Sequence, residues 1–444
     1  MASGKASGGE LEEKIDLSIE TSSIISNSQS LVKDSFNNLS QALALLASVE
    51  KKARVGNDAP SLIKICQASL SLCIECKNFE ILKDTLLMLT SRRSQKLKAI
   101  ECCVNQVMPL VCEGYAPVNT LDKNVRDDLL VTLRDITDGK IFLEAQRARL
   151  TRALAVIQEQ DGDIAGAANV LQEVHVETYG SISKKEKVEF ILEQMRLTLL
   201  KKDYVRAAIV GNKINQKALK EEEMKEYRIK YFELMVIYHS YMKDAFALSK
   251  DYHEIYLTKS SIGEDFENEL KHAVLFLILA EYSNEQQHML HVLKQDSNIE
   301  NIEEFQTTIS LLLTKEIIAY PLKQQATLTS LPAFMEMKEH WTKCLRTRII
   351  QHNIRVVAGY YQRIQGSRLA QLLGLNGQEL EQELSNMVSD GQVYAKIDRP
   401  NDVVRFKVKK SSEEVLSDWA EDLKELLTLV DRTSHLIQKE KMTK

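Results

Sequence analysis

Turn-forming residues are scarce in this chain: its 444 residues include only 6 prolines and 16 glycines. No proline lies between Pro117 and Pro321. A fold of many strands needs more turns than that, so this span of about two hundred residues is expected to be helices joined by short loops. A basic excess is also missing. The formal charge of −5 argues against a general polyanion binder and for protein partners. Long apolar runs are absent as well; the stretch from Ala273 to Ala280 is far too short to cross a bilayer, and no apolar signal segment opens the chain. No membrane association is expected. The seven cysteines (Cys66, Cys73, Cys76, Cys102, Cys103, Cys112 and Cys344) form an odd set, mostly in one helical region. They read as reduced thiols of the cytoplasm or nucleus.

Catalytic signatures are missing too. Neither G-x-x-x-x-G-K-[ST] nor G-x-G-x-x-G occurs, which removes the loops that cradle phosphate. No serine stands in a G-x-S-x-G elbow. Cys73-x-x-Cys76 and Cys102-Cys103 fall within amphipathic helical patterns and not on the knuckle turns of zinc sites, so they are expected to be buried structural thiols. His288 and His291 lack the H-E-x-x-H pattern and are expected to be ordinary surface or core histidines. Glu221, Glu222 and Glu223 sit at a helix start, where they complement the dipole. The expectation is a chain with no catalytic, cofactor-binding or metal-binding residues and no small-molecule substrate.

What is present is a repeat of about forty residues. Asp163 precedes Ile164-Ala165-Gly166-Ala167-Ala168, Asp203 precedes Tyr204-Val205-Arg206-Ala207-Ala208, and Asp244 precedes Ala245-Phe246-Ala247. Ser283-Asn284 falls at the next interval, while Asn38 and Asn78 continue the phase towards the N-terminus and the stretch from Gly114 to Asp138 breaks it. Each polar residue can cap a helix by accepting a hydrogen bond from a free backbone N–H. Val188, Ile191, Leu192, Met195 and Leu199 lie on one face of the preceding helix, and the alanines after each cap permit close approach to such a face. One helical hairpin cannot bury both faces; a stack of them can. A mainly α fold is predicted, a right-handed TPR-like or HEAT-like solenoid.

The pattern changes after the proline-containing interruption from Tyr320 to Ala333. A helix is expected from Phe334 to Gln365, a short one from Arg368 to Leu373, a turn at Gly374-Leu375-Asn376-Gly377 and a second helix from Gln378 to Ser389. Two alternating runs, Val393 to Ile397 and Val403 to Val408, flank a turn at Pro400-Asn401 and read as a β-hairpin. Helix, turn, helix, hairpin is the winged-helix order. Its second helix carries Glu379, Glu381 and Glu383 and no lysine or arginine, a poor surface for phosphates; the more basic residues are Lys396, Arg399, Arg405, Lys407, Arg346, Arg348 and Arg355. The hairpin edge at Val393, Tyr394, Ala395, Lys396 and Ile397 is the candidate surface for strand addition by another subunit. In the last helix, from Glu413 to Lys439, Leu416, Trp419, Leu423, Leu426, Val430, Thr433 and Ile437 alternate by three and four residues. This is a heptad seam, the second candidate interface.

Three segments, Arg147 to Leu197, His352 to Pro400 and Ser91 to Ile100, closely resemble the PCI family, named for the proteasome lid, the signalosome and an initiation-factor complex. The resemblance implies a non-catalytic scaffold of the proteasome regulatory-particle lid, in which a repeat arm reaches outwards, a winged helix joins a horseshoe of sister subunits and a terminal helix enters a bundle. The implied partners are other PCI-family lid subunits, the deubiquitinating lid subunit and the proteasome core and base; the isopeptidase chemistry belongs to another, metal-binding subunit whose His-x-His motif is absent here. The alternatives are a signalosome PCI subunit and a winged-helix nucleic-acid-binding protein. The organisation expected is a flexible tail over 1–30, a solenoid over 31–333, the winged-helix module with its leading helix over 334–410 and a terminal bundle helix over 411–444.

Overall fold

The structure is a computed structural model that describes residues 17–34, 39–56, 58–114, 116–118, 121–407 and 412–443. The chain forms two compact units, divided between Tyr241 and Met242. Helices dominate both.

The first unit contains α1 (Ser18–Asp34), α2 (Leu39–Val55), α3 (Ala59–Glu75), α4 (Phe79–Ser91) and α5 (Leu97–Val111). A two-residue hairpin follows, β1 (Cys112–Glu113) against β2 (Ala116–Pro117). Next come α6 (Lys123–Thr137), α7 (Glu144–Gln160), α8 (Ile164–Gln172), α9 (Lys184–Leu200), α10 (Tyr204–Asn212) and α11 (Lys225–Met242). Residues 18–30, expected within the flexible tail, belong instead to α1, which packs on α2 and α3 with Thr21 and Ser28 buried. The small hairpin and α6 occupy the stretch where the repeat loses its phase. Asn38 lies outside the described residues.

One turn recurs between successive helices. Lys77, Gly162, Lys202 and Lys243 adopt left-handed backbone, with φ of 52°, 88°, 65° and 60°, and the next residue in each case is the cap Asn78, Asp163, Asp203 or Asp244. Left-handed backbone reverses the chain after a helix. The cap then closes both helices: the Asp203 N–H donates back to the Thr198 carbonyl at 3.1 Å, while its carboxylate accepts from the Arg206 N–H at 3.2 Å. Asp163 repeats this with Gln158 and Gly166, and Asn78 with Cys73 and Ile81. Asp244 and Ser283 cap their helices likewise.

Stacking of hairpins shows in both apolar and polar contacts. Within one hairpin, Val188, Ile191, Leu192, Met195 and Leu199 of α9 join a buried cluster with Ala207 and Val210 of α10; between hairpins, Phe190 and Leu197 of α9 share a cluster with Ala167, Ala168 and Leu171 of α8. Arg149 to Glu186, Arg152 to Glu189 and Arg196 to Glu159 each bridge residues 37 apart, about one repeat length. Equivalent surfaces of successive hairpins therefore face each other.

The second unit opens with α12 (Ala245–Ile262), α13 (Glu267–Leu279), α14 (Asn284–Lys294) and α15 (Glu303–Leu313). Every residue from Leu270 to Ala280 except Lys271 is buried, which makes α13 an interior helix, contacted by α12, α14, α15 and α18 (Lys338–Tyr360). Among the described residues no helix is long and apolar enough to cross a membrane. The interruption holds two short helices, α16 (Gln325–Thr329) and α17 (Pro332–Glu336).

The winged-helix module then runs through β3 (Arg363–Gln365), α19 (Gly366–Leu373), α20 (Gly377–Ser389), β4 (Lys396–Asp398) and β5 (Val403–Arg405), before α21 (Ser412–Thr443). Its core joins Ile354 and Val357 of α18 to Ile364, Leu369, Leu384, Met387 and Val404. Two expectations need correction here. The leading helix does not reach from Phe334 to Gln365: Met337, at φ −132°, separates α17 from α18, and residues 363–365 leave the helix to form β3. The sheet is accordingly three-stranded, in the order β3-β5-β4. Val408 lies outside the described residues.

Candidate interaction surfaces

β4 is an edge strand, paired only with β5 among the described strands. The predicted edge from Val393 to Ile397 is displaced: only Lys396 and Ile397 lie in β4, while Val393, Tyr394 and Ala395 lead into it without ladder pairing. Val393 and Ala395 pack instead against the module core, a use of alternating side chains that needs no strand. Register fixes which amides are free. The Gly366 N–H donates to the Asp402 carbonyl and the Phe406 N–H to the Gln362 carbonyl, so by antiparallel alternation Val404 turns its amide towards β3. Val403 and Arg405 therefore bond to β4, across from Asp398 and Lys396. Ile397, opposite Val404, points its N–H and C=O away from the sheet.

Four arginines of this module and its leading helix meet carboxylates of the same chain. Arg399 pairs with Glu381, Arg346 with Glu379 at 3.5 Å, Arg405 with Asp398 at 3.7 Å and Arg348 with Glu281 at 2.9 Å. The third carboxylate of α20, Glu383, is held above its usual range by burial, with Arg348 opposing. Two of the three acids of the predicted recognition helix thus carry an arginine that would otherwise be available to phosphate.

The terminal helix presents an exposed apolar surface. Leu416, Trp419, Leu423, Leu426, Val430 and Ile437 are between 40% and 61% exposed, so the seam predicted on α21 is uncovered. The polar position, Thr433, turns its hydroxyl back to the Leu429 carbonyl at 2.6 Å. The seam is also wider than the heptad reading foresaw. Val415, Leu429 and Leu436 lie one residue before seam positions and are exposed, as is Leu427, one residue after another. Apolar flanks of this kind suit a multi-helix bundle better than a two-stranded coil, whose flanking positions are usually charged. The seven-residue spacing from Leu429 to Leu436 was a readable signal for it.

The residues weighed for chemistry are placed as follows. Cys66, Cys73, Cys103 and Cys112 are buried, and all seven cysteines are free thiols. Burial pushes the Cys73 and Cys112 thiols up to about 11; the Cys66 contact, then burial, raises Cys103. Such thiols are poor nucleophiles and ligands. His288 and His291 are exposed on α14. No group of three metal-ligating side chains converges among the described residues.

Comparison with known proteins yields three family matches: PSMD12/CSN4, N-terminal, over residues 41–265; the PCI domain over residues 325–408; and the 26S proteasome regulatory subunit RPN5 C-terminal domain over residues 413–444. The chain is similar to the 26S proteasome non-ATPase regulatory subunit 12 of Dictyostelium discoideum, 37% identical over 410 residues that span 91% of this chain and 90% of that protein. It is 33% identical to the 26S proteasome regulatory subunit RPN5 of Saccharomyces cerevisiae, over 91% of this chain and 92% of the relative. With homolog A of subunit 12 from Arabidopsis thaliana it shares 34% identity, over 89% and 95%.

Proposed function

Because the chain belongs to the family of 26S proteasome regulatory subunit 12, or RPN5, we propose that it is a non-catalytic scaffold subunit of the lid of the proteasome regulatory particle. In that role it is needed for lid assembly and so for ubiquitin-dependent protein degradation. The observation that carries the reading is the uncovered apolar face of α21. Burying one such side chain stabilises by about 1.5–3 kcal/mol, so a helix displaying six in a row gains most inside a bundle of helices from sister subunits. The free amide of Ile397 at the β4 edge supplies the second contact, by strand addition from a neighbouring PCI module. Its partners are other PCI-family lid subunits, the deubiquitinating subunit, and the core and base. It works in cytoplasm and nucleus, where its seven free thiols stay reduced; tagged chain found in neither compartment would oppose this.

Deleting the chain from Leu416 onward is expected to leave both units folded, because no described side chain of α21 is buried, and to prevent incorporation into the lid. Circular dichroism and thermal melting check the fold; affinity purification with identification of the co-purifying chains checks incorporation. A truncated chain recovered in complete lid at the normal level overturns the role of the helix. One observation keeps a second reading open: the N-terminal family model is shared with a signalosome subunit by its printed name. The C-terminal match to RPN5 favours the proteasome, and the same purification separates the two by which complex appears.

A further inference from the structure

Arg355, on α18, differs from the other arginines of its surroundings. Arg346, Arg348, Arg399 and Arg405 each meet a carboxylate, whereas among the described residues Arg355 has none within ion-pair distance. Its guanidinium is half-buried and stacked over the Tyr282 ring, 4.0 Å from the centroid, with Nη1 donating to Gln392 Oε1 at 3.3 Å. Burial pulls it down to about 10, and the nearby Arg348 charge pulls the same way. A cation in this position is oriented and only partly satisfied.

It borders a cavity of about 530 Å³. Lys315, exposed and without an ion pair among the described residues, also lines it, and no aspartate or glutamate does. The backbone carbonyls that could repel an anion are partly spent: Tyr360 O–H donates to the Lys315 carbonyl and His352 Nε2 to the Glu316 carbonyl, both at 3.2 Å. Those two bonds also tie the backbone of Lys315 and Glu316 to α18, the helix that carries Arg355.

We propose that this cavity is an oxyanion site, in which the Arg355 guanidinium and the Lys315 ammonium take up a carboxylate or phosphate group. The planar fork of the guanidinium matches two oxygens of either group, and the ammonium adds a point charge. The cavity is several times larger than a phosphate, so the group arrives on a larger body: an acidic side chain of a neighbouring subunit or a small phosphorylated molecule. The assignment is independent of the scaffold reading.

The probe is inorganic phosphate, titrated into the full chain against sodium chloride of equal ionic strength, with thermal unfolding as the readout. Phosphate at tenfold its dissociation constant is expected to raise Tm by about 2 °C or more. Arg355→Gln abolishes that increment. Lys315→Gln, at an exposed position that cannot endanger folding, weakens phosphate binding several-fold. A wild-type chain that responds to phosphate no more than to chloride, or a Lys315→Gln chain that responds like wild type, overturns the site. A second arm identifies the source: phosphate added during reconstitution with sister subunits lowers incorporation if a partner carboxylate fills the site, and leaves it unchanged if a small phosphorylated molecule does.

Discussion

Individual residues carry the repeat. Asn78, Asp163, Asp203 and Asp244 are legible as caps because the Asx rule is local: a short side-chain oxygen reaches an N–H two or three residues ahead whatever surrounds it. The lysine or glycine before each cap completes the signal. Buried polar residues are not legible in this way. His272 lies on the apolar helix α13, where sequence gives no hint that its Nδ1 sits 2.7 Å from the Asn268 carbonyl or that its ring stacks on Tyr252, 5.0 Å away. Burial holds His272 below the ordinary histidine range, with Lys271 adding to the effect and the Asn268 carbonyl and Glu269 opposing it; burial likewise depresses His253 and His352. The sign follows. The unfolded chain binds these protons more readily than the folded chain, so stability is complete above about pH 6.5 and is lost as pH falls below it. Calorimetry from about pH 7 to about pH 5 is expected to show a falling Tm. His272→Phe, which keeps an aromatic ring against Tyr252 and cannot titrate, should show a shallower fall. Parallel slopes for the two proteins would exclude His272 from the effect.

At the scale of elements, the reading of the winged helix held where elements were long and failed where they were short. Residues 366–373 and 377–389 form α19 and α20 close to the limits that helix periodicity set, and Gly391, at φ 70°, follows the second of them. β3 escaped because three residues, Arg363 to Gln365, carry too little alternation to separate from a helix end; only their antiparallel pairing with β5 defines it. Val393 to Ala395 alternate like a strand yet make no ladder. The register makes Ile397 and its cross-strand neighbour Val404 unequal, which gives a paired test. Ile397→Pro removes an N–H that points away from β5, so the isolated chain should keep its thermal stability nearly intact while pairing with a sister subunit weakens. Val404→Pro removes an N–H inside the sheet, at a buried position of the central strand, and should cost about 3 kcal/mol or more. Melting curves and pull-down yields distinguish them. If Ile397→Pro enters the complex as well as the unaltered chain, the β4 edge is not an interface.

For the whole molecule, the decisive feature is what stays uncovered. The chain as a whole is acidic, at −5, and four of the arginines of its winged-helix module are already paired, so long-range attraction to a polyanion has little to act through. The terminal helix is different: on α21 the apolar seam and its flanks at Val415, Leu427, Leu429 and Leu436 are exposed together. The seam could be read from sequence because a 3-4 alternation is periodic; its exposure could not, since periodicity is equally consistent with packing on the chain's own module. Burial of six such side chains at about 1.5–3 kcal/mol each gives a gross gain of the same order as the entropy lost in association, about 4–15 kcal/mol. A chain without its partners is therefore expected to pair with itself through this helix, weakly and reversibly. Sedimentation velocity over a range of concentrations should show a rising weight-average mass for the full chain. The double variant Leu423→Glu with Leu426→Glu places charge in the centre of the seam; it should remain monomeric and melt at the same temperature, because neither side chain packs on the folded units. Sister lid subunits added in excess should suppress the self-association of the unaltered chain by occupying the same face. A full chain that stays monomeric at every concentration would mean that the stripe is too weakly apolar to hold a bundle, and the scaffold role would then have to rest on the sheet edge alone.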